Sequence, residues 1–125
     1  MKRVLVVDDH PLVIKACRQL FGAMDVQEIL AAANASAGYD IYVSTRFDVA
    51  VVDLRLDPGD LTGLSLIRKM RSQNSSAVIV AFSMDSDPTI SAEALNAGAT
   101  AFVCKDAPIG VLLDACELNR LNQAA

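Results

Sequence analysis

Four short apolar runs in this chain stop abruptly on a polar side chain. Val4 to Val7 runs into Asp8-Asp9, the segment from Asp48 closes on Asp53, Ala77 to Phe82 ends at Ser83, and Thr100 to Cys104 ends at Lys105. The first run is β-branched and shows no polar alternation, which is how a strand covered on both faces reads. Segments of helical period lie between the runs. After His10 and the helix-opening Pro11, apolar residues fall at Val13, Ile14, Cys17, Leu20, Phe21 and Met24, with Lys15, Arg18 and Gln19 opposite. That spacing predicts an amphipathic helix of about 13 residues. Strands alternating with helices imply a parallel sheet with right-handed crossovers, an α/β fold with helices on both faces.

The remaining elements follow the same rhythm. Glu28 to Ala33 is the expected second strand. Ser36 to Arg46 is the expected second helix, with poor intrinsic propensity because it contains Gly38 and several β-branched residues. The third strand spans Asp48 to Asp53, and the Pro-Gly pair makes Asp57 to Asp60 a loop. The third helix directs Leu64, Ile67 and Met70 to the core and Arg68, Lys69 and Arg71 to solvent. Asp87 and Pro88 cap and open a fourth helix, with Ile90, Ala94 and Leu95 inward and Gly98 as its stop. Pro108 opens the last helix, whose core stripe is Ile109, Leu112, Leu113 and Cys116. A second stripe, Val111, Ala115 and Leu118, is either a wider core contact or a partner surface.

The 125 residues fit one domain of five β–α units, with no repeat or linker. A hydrophobic content of 53% provides a core and excludes disorder. The net charge of −4 argues against binding nucleic acid by this domain alone. Only four apolar residues separate Met1-Lys2-Arg3 from two aspartates, which is no signal peptide, and no apolar run approaches the ~20 residues of a membrane span. A cytoplasmic location without membrane contact is expected. Cys17, Cys104 and Cys116 are widely spaced in apolar sequence and read as reduced core residues.

In open α/β sheets the ligand site lies beyond the carboxyl ends of the strands. Asp8, Asp9, Asp53, Ser83 and Lys105 would share that rim. Three clustered carboxylates repel one another. Mg²⁺ relieves that repulsion, favours oxygen ligands and commonly adds a phosphate to one or two carboxylates. An ammonium and a hydroxyl beside them suit a phosphoryl group. His10 beside Asp9 would suggest a zinc or catalytic ligand, but it is the chain's single histidine.

VVDDHP (Val6 to Pro11), VVDLRL (Val51 to Leu56), the Ser83 strand end and NAGATAFVCK (Asn96 to Lys105) carry a specific likeness. Over essentially the whole chain, residues 1–125, the sequence resembles a response-regulator receiver domain of two-component signalling. The DDHP start resembles receivers attached to a helix-turn-helix DNA-binding output. This resemblance implies a flavodoxin-like five-stranded parallel sheet in the order 2-1-3-4-5. It implies Asp53 as phosphoacceptor, with Ser83 and Lys105 as its catalytic partners. Mg²⁺ would be held by Asp9 and Asp53, by Asp8 through water and by the backbone carbonyl of Arg55. Ser83 and Phe102 would be the switch pair.

The implied donor is a histidine kinase or phosphotransfer protein. The implied role is a signalling switch that catalyses only its own phosphorylation and dephosphorylation. Pairing of two copies through the last helices is open, and DNA would be reached only through an output domain outside this sequence. The rival reading is a degenerate receiver acting as a phosphorylation-independent interaction module. An aspartate-based phosphatase or flavin protein is disfavoured, because the first strand lacks D-x-D spacing and no Ser/Thr-Gly-rich phosphate loop is present. Three neighbours depart from the family pattern. The loop from Leu54 to Gly63 is about two residues longer than usual. Met84 replaces a smaller residue and is expected to narrow access to Asp53. Asp106 stands where many receivers have proline.

Overall fold

A computed structural model describes residues 2–56, 63–85 and 87–118 of the chain. The expected loop Asp57 to Asp60 lies outside the described residues. Among the described residues, five strands, β1 (Lys2–Val7), β2 (Val26–Ala32), β3 (Val49–Val52), β4 (Val78–Ser83) and β5 (Ala101–Cys104), alternate with five helices. These are α1 (Pro11–Gly22), α2 (Ala35–Ser44), α3 (Gly63–Gln73), α4 (Pro88–Ala97) and α5 (Ile109–Ala115). All neighbouring strands are parallel, in the order β2-β1-β3-β4-β5.

Each central strand feeds two cores. In β1, Leu5 and Val7 face one side while Val4 and Val6 face the other; in β3, Ala50 and Val52 oppose Val49 and Val51. The first side is covered by α2, α3 and α4 through Tyr42, Leu66, Ile67, Met70 and Ala94. The second is covered by α1 and α5 through Cys17, Phe21 and Leu112. Apolar packing on both faces is why these strands show no polar alternation.

The second helix begins one residue earlier than expected, because the Asn34 side chain caps it by accepting the Ala37 N–H at 2.8 Å. The second strand starts at Val26 rather than Glu28, paired with Lys2 ahead of a register shift in β1. Leu95 and Ile109, expected inward, are exposed. The α4 core contact comes from the small Ala94 and Ala97 instead, and Pro108 forms the cap rather than the first turn of α5. The second stripe of the last helix divides. Val111 is exposed, whereas Leu118, beyond the helix end, is fully buried in the α1–α5 core.

Arg71 departs furthest from expectation. Its guanidinium is not solvated but donates to the Gly98, Asn74, Ser75 and Ala77 carbonyls and to Thr100 Oγ1, at 2.7–3.2 Å. Cys17 and Cys116 are buried free thiols, and burial pushes their pKa values up to about 11 and about 12.

Candidate functional site

The ladder hydrogen bonds run one residue past the strands and set the strand ends level. Asp8 N–H donates to the Ala32 carbonyl, Asp53 N–H to Val7 and Lys105 N–H to Ser83, at 2.8–3.0 Å. The sequence-expected residues therefore share one rim. Lys105 Nζ lies 2.8 Å from Asp8 Oδ2 and 3.4 Å from Asp53 Oδ2, and all three side chains are buried. Its ammonium also sits over the Phe82 ring, 5.7 Å from the centroid. Asp9 joins through His10, whose Nδ1 is 3.0 Å from Asp9 Oδ1 and 2.8 Å from Asp8 Oδ1.

Gly63, the first residue of α3, permits this arrangement. A Cβ there would stand 2.3 Å from the Asp53 carbonyl oxygen and 2.5 Å from Leu54 Cα, so only glycine lets the helix approach the backbone that carries Asp53.

Ser83 is fully buried at the adjacent strand end, where its hydroxyl accepts the Asp85 N–H at 3.2 Å. Phe102 is half-buried against the α2–α4 side of the sheet. A cleft of about 300 Å³ lies beside Ser83, lined by Leu54, Arg55, Leu64 and Ile90. Arg55 enters through its backbone, donating N–H to Asp53 Oδ1 at 3.1 Å. Its guanidinium turns outward and pairs with Asp85 at 2.6 Å, bridging the loops after β3 and β4. Sequence periodicity holds no signal for that bridge, since neither residue lies in a strand or helix. Met84 is exposed and lines a cleft between α1 and α5 with Leu12, Phe82 and Ile109, on the Lys105 side. The Lys105–Asp106 bond is trans.

The donor chemistry fits a hard divalent cation. Asp8 Oδ2, Asp9 Oδ1 and Asp53 Oδ2 are buried without a hydrogen bond of good geometry among the described residues. They face Lys105 and His10. Even with the imidazole protonated, two single positive charges face three carboxylates. Oxygen ligands with a negative excess are what Mg²⁺ takes.

Burial, reinforced by the Asp8 charge, raises the Asp53 carboxyl above its ordinary range, against the lowering pull of the Arg55 amide and Lys105. The native chain thus holds this proton more tightly than the unfolded chain. Stability is lost as pH rises from the ordinary carboxylate range through the raised value, because the charged form opposes folding. Asp53→Asn should therefore melt above wild type without metal. Mg²⁺ should raise the wild-type melting temperature more than that of the variant. Calorimetric melts with and without Mg²⁺ measure both, and a variant less stable than wild type would refute the charge argument.

A family model for the response regulator receiver domain matches residues 4–117. The methanol utilization control regulatory protein MoxX of Paracoccus denitrificans is 32% identical over 106 residues, covering 85% of this chain and 48% of that protein. The DNA-binding transcriptional activator EvgA of Escherichia coli (strain K12) is 25% identical over 113 residues, covering 90% of this chain and 54% of that protein. The chain spans about half the length of these curated relatives. The crystal structure of a two-component response regulator of the LuxR family from Aurantimonas sp. SI85-9A1 superposes with a TM-score of 0.85 at 29% identity, covering 99% of this chain and 86% of that one. Among the described residues, no helix is long and apolar enough to cross a membrane.

Proposed function

Because this chain belongs to the response regulator receiver domain family of two-component signalling, we propose that Asp53 is its phosphoacceptor and that Lys105, Ser83 and the Asp8-Asp9 pair serve that one reaction. The observation that carries the proposal is the buried Asp53 carboxylate, 3.4 Å from a buried ammonium and grouped with Asp8 and Asp9.

An Asp53 carboxylate oxygen attacks phosphorus in line. The new O–P bond forms as the bond to the leaving group breaks, and the leaving group departs with its electron pair. Lys105 pairs with the phosphoryl oxygens as charge redistributes. Asp9 and Asp53, with Asp8 through water and the Arg55 carbonyl, would hold Mg²⁺, which when bound supplies charge neutralisation and orientation.

The product adds about −1.5 to −2 charges and three acceptor oxygens beside Ser83. Ser83 now contacts the Asp85 amide. To donate to a phosphoryl oxygen it moves inward, and the vacated space lets Phe102 turn toward the core. A full population switch of this kind needs roughly 5.5 kcal/mol of differential stabilisation. The surface that changes is that of α4, β5 and α5. A histidine kinase or phosphotransfer protein is the donor this chemistry implies. The likeness to a DNA-binding activator supports a transcriptional output as the reader of the changed surface.

Incubation with acetyl phosphate and Mg²⁺, followed by intact mass, tests the proposal. One phosphoryl group should appear on wild type, and none on Asp53→Asn or in excess EDTA. An unmodified wild-type chain would instead favour a degenerate, phosphorylation-independent receiver.

A further inference from the structure

His10 has no part in the phosphotransfer scheme, yet its ring lies against all three carboxylates. Nδ1 is 2.8 Å from Asp8 Oδ1, 3.0 Å from Asp9 Oδ1 and 3.8 Å from Asp53 Oδ2. The ring is held there from the backbone. His10 is the residue before α1, its own N–H donates to Asp8 Oδ1 at 2.9 Å, and Pro11 follows. Its side chain makes no capping hydrogen bond to the helix; the ring hydrogen-bonds Asp8 Oδ1 instead.

The spacing is that of a coordination sphere. Two ligand atoms at right angles on an ion with bonds of about 2.1 Å stand about 3.0 Å apart. Nδ1 meets Asp9 Oδ1 at that separation, while its 2.8 Å contact with Asp8 Oδ1 is a hydrogen bond. One ligand atom from each of Asp8, Asp9, His10 and Asp53 can be chosen so that all lie within 4.8 Å of one another. Asp8 Oδ2, Asp9 Oδ1 and Asp53 Oδ2 are buried without a hydrogen bond of good geometry among the described residues, and the first and last lie beside the Lys105 ammonium, at 2.8 and 3.4 Å.

We propose that His10 Nδ1 is a ligand for first-row transition ions at this site, so that the site discriminates Mn²⁺ and Co²⁺ from Mg²⁺ beyond what its carboxylates alone would give. This rests on the metal-assisted phosphoacceptor reading and deepens it. Mg²⁺ is a hard ion that keeps its waters rather than exchange one for imidazole. Imidazole suits the later, softer ions, and affinity rises from Mn²⁺ to Co²⁺. His10 therefore adds a ligand for one class of ion and leaves the other to oxygen.

The single histidine in 125 residues makes the test clean, because any imidazole signal is that of His10. Wild type and His10→Ala are titrated calorimetrically with Mg²⁺, Mn²⁺ and Co²⁺, and the imidazole ¹⁵N resonances are followed in parallel. The variant should lose at least about tenfold in Co²⁺ affinity, lose less for Mn²⁺ and keep its Mg²⁺ affinity. Co²⁺ should shift or broaden Nδ1 selectively in wild type, and Mg²⁺ should not. Unchanged Co²⁺ affinity overturns the proposal. So does a parallel change for all three ions, which would make the ring only a counter-charge to Asp8. Phosphoryl uptake from acetyl phosphate by the same samples separates the two levels. Normal uptake with Mg²⁺ beside Co²⁺ binding insensitive to His10 removes this inference alone. No uptake and no Mg²⁺ binding removes both.

Discussion

Lys105→Met is expected to take up phosphoryl from acetyl phosphate about 10²–10³-fold more slowly than wild type at saturating Mg²⁺. The substitution keeps an unbranched side chain of similar length and removes the charge. What is lost is a cation already desolvated and aimed, with 8% of the side chain exposed and Nζ held at 2.8 Å by Asp8 and 3.4 Å by Asp53. The Phe82 face beneath it restricts the ammonium further. A fixed charge of this kind requires little reorganisation as phosphoryl transfer proceeds. Without metal the variant should also be less stable, because breaking a buried pair leaves a carboxylate uncompensated, at about 3–5 kcal/mol. Mg²⁺ should recover part of that loss. Melting curves with Mg²⁺ establish that the variant is folded, and mass time courses give the rate. A folded variant loading at the wild-type rate would remove Lys105 from the scheme.

Arg71→Ala is expected to cost about 3 kcal/mol of stability, or about 10 °C in melting temperature. The guanidinium ties four segments together: the end of α3, the start of β4, the α4–β5 turn at Gly98 and Thr100 on the approach to β5. Thr100 Oγ1 also accepts the Ile79 N–H at 3.1 Å, so losing Arg71 loosens the β4–β5 edge as well. Gly98, with φ of 118°, would place a Cβ 2.9 Å from Arg71 Cβ and Cγ, which shows how closely the arginine stem packs on that turn. Several freed carbonyls lie near the surface and regain water, which keeps the cost below the sum of the bonds. Arg71→Lys should recover little, since one ammonium cannot reach carbonyls arranged around a planar fork. Denaturant melts measure the loss, and a change below the error of extrapolation would mean the network adds nothing to stability.

Most of the sheet was legible because both faces of its strands are apolar, and an unalternating β-branched run reads as few other things do. Strand order was not in composition or periodicity; it came with the resemblance carried by VVDDHP, VVDLRL and NAGATAFVCK. Helical periodicity placed Leu66-adjacent Ile67, Met70, Ala94 and Leu112 correctly in the core. It misplaced Leu95 and Ile109, because a short helix at a sheet edge buries a narrower stripe than its apolar residues offer. Arg71 was read as solvated because residue type and helix face say nothing of carbonyls supplied by other segments. The weak second helix was legible only as weak. Its Gly38 would place a Cβ 2.8 Å from Val7 Cγ2, so the poor helix former marks where α2 presses on β1.

At the site, the strand ends taken as neighbours put Asp8, Asp9, Asp53, Ser83 and Lys105 on one rim, and there Lys105 reaches Asp8 and Asp53. His10 was visible beside Asp9, but the chain's lack of a second histidine concealed that carboxylates could complete its surroundings. The Arg55–Asp85 bridge depends on two loops coming side by side, which no local pattern records.

The proposed reaction leaves the phosphoryl group on Asp53. The direct measurement is borohydride reduction of the chain after acetyl phosphate and Mg²⁺ treatment, followed by peptide mass mapping. An aspartyl phosphate is reduced to homoserine, so homoserine is expected at position 53, with Asp8 and Asp9 unchanged. Conversion at Asp8 or Asp9 with Asp53 intact, or phosphoryl found on His10, would contradict it.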